Sequence, residues 1–122
     1  MKGKKYDKGK PNLIPFFENM PFCLKDFPEE KPKYHDYVID YDLVPKNAHR
    51  EITSGFSYGA TEYGPENWRL VKPFKKRYFK ALLRHIFLYW VIGEQIDRKT
   101  GIHHLALAGC CIYFLLEKEI EK

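Results

Sequence analysis

PFKKRYFKALLRHIFLYWVIG, residues 73–93, decides the fold. Pro73 suits the first position of a helix, where its missing N–H is no loss. From residue 74 to about 92, Phe79, Leu82, Leu83, Ile86 and Trp90 recur at helical spacing, and Phe87, Leu88, Tyr89 and Val91 make the second half apolar all round. A helix of that kind is buried on more than one side. In a chain of 122 residues with no second core, the cover expected for the other side is another copy of the same protein. Gly93 stands where the helix is interrupted or capped.

Downstream, residues 97–101 read as a short loop, with Thr100 as a candidate cap for a further helix from residue 102 to about 119. Upstream, Pro45 precedes a first helix over residues 47–63. Gly55 and Gly59 each weaken that helix by about 1 kcal/mol relative to Ala, so their presence marks close packing. Gly64-Pro65-Glu66-Asn67 is turn chemistry, and residues 68–72 are a connector. The expected fold is therefore all-α: a small bundle of about three helices over residues 39–122, completed by oligomerisation. An extended Pro-rich arm over residues 1–38 precedes it. Five of the eight prolines fall in that arm, while Leu13, Ile14, Phe16, Phe17, Phe22, Leu24 and Phe27 are apolar enough to lie over a core or a neighbouring subunit.

The 16% aromatic content supplies the large apolar area that a small domain needs to offset its conformational entropy. The formal charge of +5 favours an anionic ligand, but base-reading motifs are missing and Asp and Glu are plentiful, so nucleic acid is not the expected partner. Cys23, Cys110 and Cys111 give an odd count, and neighbours on a helix do not easily reach disulfide geometry, which points to a reduced cytoplasmic setting. The start of the chain lacks an apolar signal core. The longest apolar stretch, residues 105–116, is shorter than the roughly 18 residues of a membrane span, so no membrane association is expected. His103 and His104 do not stand at zinc-finger spacing from the two later cysteines, and no glycine-rich phosphate loop, Ser/His/Asp grouping or CxxC pair is present.

Six short segments follow one another in order: Tyr41-Asp42-Leu43-Val44-Pro45, Gly59-Ala60-Thr61-Glu62-Tyr63-Gly64, Asn67-Trp68, Ala81-Leu82-Leu83-Arg84-His85, Gly93-Glu94-Gln95-Ile96-Asp97 and Gly101-Ile102-His103-His104-Leu105-Ala106. Over about residues 40–117 they resemble the N-terminal-type domain of phage dATP/dGTP diphosphohydrolases, which are MazG-like all-α nucleotide pyrophosphatases. The resemblance implies cleavage of a purine deoxynucleoside triphosphate to monophosphate and pyrophosphate in an oligomeric helical bundle. Carboxylates would hold Mg²⁺ or Mn²⁺ as cofactor, and basic side chains would take up the remaining phosphate charge.

By that resemblance Glu94 and Asp97 match the family's acidic pair and Glu51 a further acidic position, which makes these three the candidate metal ligands. The i, i+3 spacing of Glu94 and Asp97 shares one helix face if the helix continues through Gly93; spacing alone equally describes a solvated acidic helix end. Arg84, His85 and His104 fall on matched positions and are candidates for the nucleotide. Arg84 also closes a basic stripe with Arg77 and Lys80 at helical spacing. Tyr63, Asn67 and Trp68 would address the base by stacking and hydrogen bonding, the alternative being a Trp that closes the end of the core and an Asn that fixes a turn.

At two positions the chain departs from the family pattern. Lys99 replaces an expected glutamate, and Leu107 replaces an expected second histidine one turn after His104. A charged lysine does not coordinate Mg²⁺ and leucine has no ligand atom, so no side chain is assigned as catalytic. Hydrolysis and a non-catalytic alternative both stay open. In the alternative the pocket sequesters a nucleotide or a nucleotide-derived immune signal, as an anti-defence sponge would, with Lys99 among the nucleotide-binding residues. A third option is an interaction module that uses its apolar arm on a host protein.

Overall fold

The computed structural model describes residues 37–121. The arm expected over residues 1–38 lies, apart from its end, outside the described residues, as does Cys23. A short 3-10 turn, Tyr41–Leu43, leads into helix α1, Lys46–Tyr63. A second 3-10 turn, Asn67–Leu70, connects α1 to α2, Phe74–Phe87, and α3 runs over His104–Glu121. The described residues are all-α apart from one isolated antiparallel bridge between Ile96 and His103. None of their helices is long and apolar enough to cross a membrane.

The three helices fall where the apolar periodicity expects them, but α2 ends differently. Its last turn, Leu88–Ile92, widens to π-helical geometry, and Gly93 then takes a left-handed φ of 89° that residues with a Cβ rarely adopt. The Glu94 N–H reaches back to the Leu88 carbonyl at 2.9 Å, a bond that closes the helix C-terminus. This corrects the premise that Glu94 and Asp97 share a helix face, because the helix stops before either. Instead the chain folds back on itself: Asp97 N donates to Ile102 O and His104 N to Gln95 O, both within 2.9 Å, and Gly101, at φ 75°, turns the loop. Thr100 organises this loop, accepting from Ile102 N at 3.1 Å, whereas the start of α3 is held by His103, whose Nδ1 accepts from Leu105 N at 3.0 Å.

The core lies between α2 and α3. Leu82, Ala108 and Cys111 form its centre, with Tyr78, Ala81 and Leu115 packed on it. Small residues on α3 let the helices approach closely, and the same device sets the contact with α1. A Cβ added to Gly55 would stand 2.5 Å from Cys110 Sγ, and one added to Gly109 would stand 2.9 Å from Ile52 Cδ1. Gly59 shows no such contact. Trp68, Phe56, Phe74, Tyr78 and Phe114 form an aromatic cluster, with Trp68 stacked on Phe114 at 4.6 Å. Arg69 paired with Glu66 and Glu121, and Lys75 paired with Glu119, add ion pairs that tie the connector and α2 to the C-terminal part of α3.

Candidate functional site

Two histidines occupy positions where hydrocarbon would be expected. His85 sits on the inner face of α2, three residues from Leu82, and is 8% exposed; His104 opens α3 and is fully buried. Their Nδ1 atoms are 2.9 Å apart, and His104 Nε2 is 2.7 Å from Glu94 Oε1. Glu94 reaches this position because Gly93 ends α2 and turns the chain back toward α3.

The protonation pattern follows from the donors available. A carboxylate only accepts, so His104 donates its Nε2–H to Glu94. The contact between the two Nδ1 atoms holds one proton; with that proton on His85, His104 is bare at Nδ1 and His85 keeps a lone pair at Nε2. Burial, aided by the Arg84 charge and by His104, pushes the His85 imidazole down to about 4, against a smaller upward pull from Asp97. It is neutral at physiological pH. The other oxygen of Glu94, Oε2, stands 3.1 Å from Arg98 Nε, close enough for an ion pair. The groups are not aligned for a hydrogen bond, so Oε2 is a buried acceptor that no proton satisfies.

Asp97 completes the group. Its Oδ2 accepts from both the backbone N–H and the hydroxyl of Thr100 at 2.9 Å. Burial alone would raise this carboxyl, but the two Thr100 bonds and the facing imidazoles outweigh it, so it titrates below its ordinary range. One ligand atom each from His85, Asp97 and His104 lie within 4.8 Å of one another. Two imidazoles and a carboxylate form a donor set that suits a divalent cation.

The remaining sequence candidates are dispersed. Glu51 is exposed on α1 and outside this group. Arg84 is exposed on α2, one residue before His85. Tyr63 and Asn67 line a surface depression of about 280 Å³ together with Arg69. The concavity and the buried chemistry lie on different residues, and only the buried group brings reactive side chains together. Lys99 Nζ donates to the Tyr63 hydroxyl at 3.4 Å, which sets one cation beside that depression. Trp68 does not line it. Its ring is stacked on Phe114 with the Arg69 guanidinium 4.3 Å from its centroid, so a base would have to displace one of them. Leu107 packs beside Gly55, in the contact between α1 and α3. The later cysteines are buried thiols pushed up to about 12 at Cys110 and about 11 at Cys111, chiefly by desolvation, and are poor ligands as they stand.

What the motifs did not show is that His85 and His104 face each other. The available signal was register: His85 shares the face of Tyr78 and Leu82, and His104 that of Ala108 and Cys111, so each histidine stands on the buried side of its own helix. No curated protein and no solved structure matches the chain. The family described as dATP/dGTP diphosphohydrolase, N-terminal, matches residues 28–122, which takes in Glu94, Asp97 and both histidines, and the chain belongs to that family.

Proposed function

We propose that the protein binds a purine deoxynucleoside triphosphate and cleaves it to the monophosphate and pyrophosphate. The family supports nucleotide handling. Cleavage rests on one observation, the buried Glu94–His104–His85 chain with Asp97 beside it. Burying polar groups in a core this small costs free energy that apolar residues would not, which favours a chemical role. Moreover, the two departures from the family pattern leave the group intact: Leu107 belongs to a helix contact, and Lys99 bonds to Tyr63.

The cleavage requires a divalent cation, and His85, His104 and Asp97 are the residues that would hold it. When bound, such an ion neutralises phosphate charge and acidifies water. Glu94 keeps the His104 ring oriented by accepting from its Nε2–H. Arg84, exposed beside His85, is suited to phosphate oxygens that do not react. Lys99 adds a second cation, and Tyr63 and Asn67 offer a hydroxyl and an amide for sugar or base. We give Glu51 no part, and Trp68 serves the aromatic cluster. The apolar surface left on α2 and α3 supports a homo-oligomer as the working form.

The sequestering alternative has one observation in its favour: Lys99 is a cation beside the depression, where an acidic residue was expected. Incubation of the full chain with dATP, dGTP, cyclic nucleotides and ADP-ribose-type nucleotides, with Mg²⁺, with Mn²⁺ and with chelator, separates the two. Metal-dependent monophosphate and pyrophosphate, lost in Asp97→Asn, are the expected products. Intact nucleotide recovered only on denaturation, whatever the metal, would replace the hydrolase with a binder.

A further inference from the structure

Magnesium takes oxygen donors, demands a near-ideal octahedron and gives up its waters reluctantly. The group around His104 offers something else: two imidazole nitrogens and one carboxylate, with both rings on the buried faces of their helices. Imidazole suits zinc, copper, iron and nickel, and two such donors in a three-ligand set penalise magnesium.

We infer that His85, His104 and Asp97 form a site for a first-row transition-metal dication such as Mn²⁺, Co²⁺ or Zn²⁺, chosen over Mg²⁺ by its two nitrogen donors. The geometry fits in three respects. First, adjacent nitrogens around a metal at about 2.1 Å stand about 3 Å apart in octahedral arrangement, and the two Nδ1 atoms are 2.9 Å apart. Second, Glu94 holds Nε2–H of His104, the carboxylate–histidine arrangement that fixes a metal-ligating ring and raises its basicity. Third, both Thr100 bonds fall on Asp97 Oδ2, which leaves Oδ1 to offer. For the ion to enter, the His85 ring proton moves to Nε2 and the two rings turn so that both Nδ1 lone pairs meet at the metal. Without an ion, the two rings hydrogen-bond to each other; with one, the same two atoms become its ligands.

The site is the one used in the proposed hydrolysis, but the test contains no nucleotide, so either proposal can fail alone. Chelator-stripped full chain is titrated with Co²⁺ and followed by visible absorption, then challenged with Mg²⁺ and Zn²⁺. One Co²⁺ per chain is expected, displaced by Zn²⁺ and unmoved by a large excess of Mg²⁺. The near-isosteric Glu94→Gln should weaken Co²⁺ binding by about 10- to 100-fold, and Asp97→Asn, which removes a charged ligand, by at least as much, with circular dichroism unchanged. Because variants in a small core can fail to fold, the wild-type chain supplies an independent readout: Zn²⁺ must shift the imidazole ¹⁵N resonances of both His85 and His104. Absence of Co²⁺ binding, displacement by equimolar Mg²⁺, full affinity in both variants, or unmoved imidazole resonances would each overturn the inference.

Discussion

Burial, more than any neighbouring charge, lowers the proton affinity of His85, and this couples the fold to pH. An unfolded histidine takes up a proton near pH 6.5, whereas the folded ring, pushed down to about 4, does not. The stability associated with the neutral ring is therefore fully present above 6.5 and is lost as pH falls toward 4. By pH 5 the loss should be about 2 kcal/mol. Asp97 acts in the same direction, but its contribution fades only below its ordinary value, so the two windows do not overlap at pH 5. Urea midpoints measured in chelator at pH 7.5 and pH 5 should show this drop in wild type, and His85→Gln should flatten it. A wild-type midpoint that does not move would mean the His85 ring is not excluded from water as described. The motifs singled out Glu94, Asp97, Arg84, His85 and His104 as neighbours in the sequence pattern. They did not reveal that the two imidazoles touch, because that contact joins residues 19 apart on different helices.

At the level of the helices, a single atom decides how α1 lies on α3. Gly55 is in contact with Cys110, whose thiol donates to the Ile52 carbonyl at 3.2 Å, so the sulfur is held in place by that bond and by its own burial. Gly55→Ala would drive a methyl into it. Overpacking of this kind costs about 1–3 kcal/mol, against the roughly 1 kcal/mol that alanine contributes to an exposed helix, so a net destabilisation is expected. Gly59→Ala meets nothing within 4 Å and should stabilise by up to about 1 kcal/mol. Opposite signs for two identical substitutions four residues apart, read as thermal midpoints, test the helix contact directly; equal signs would rule it out. Both glycines were visible in the sequence as breaks in helix propensity, but propensity cannot say which one faces a neighbour. The helix spans themselves were legible because apolar periodicity is long and strong there. The stop at Gly93 was not, since a glycine near a helix end is compatible with continuation or capping, and the outcome depends on the Ile96–His103 pairing that follows.

For the whole molecule, the question is what covers the apolar surface the described residues leave open. On α2, Phe79, Ile86 and Trp90 are exposed, Trp90 to 78%; on α3, Leu105, Ile112 and Leu116 are exposed at spacings of seven and four residues. These are two helical stripes, each outside the α2–α3 core contact, and because most of these side chains are about half exposed, each forgoes roughly half of the about 1.5–3 kcal/mol that full burial contributes. Isolated exposed apolar residues are ordinary, but periodic ones on two packed helices form a face. A second copy is the simplest cover, since closed symmetric pairing places each stripe against its own equivalent or the other one. Sedimentation of the full chain should then show a dimer or higher closed oligomer at micromolar concentration. Trp90→Glu with Leu116→Glu should shift it to monomer and lower its thermal midpoint, because two charges would have to be buried in the interface. Neither residue is one of the three proposed ligands. A monomeric variant that keeps its Co²⁺ site would show the metal group to be complete within one chain, and loss of metal on dissociation would show that the partner supports it. A wild type that sediments as a monomer would leave the stripes for some cover other than a second copy.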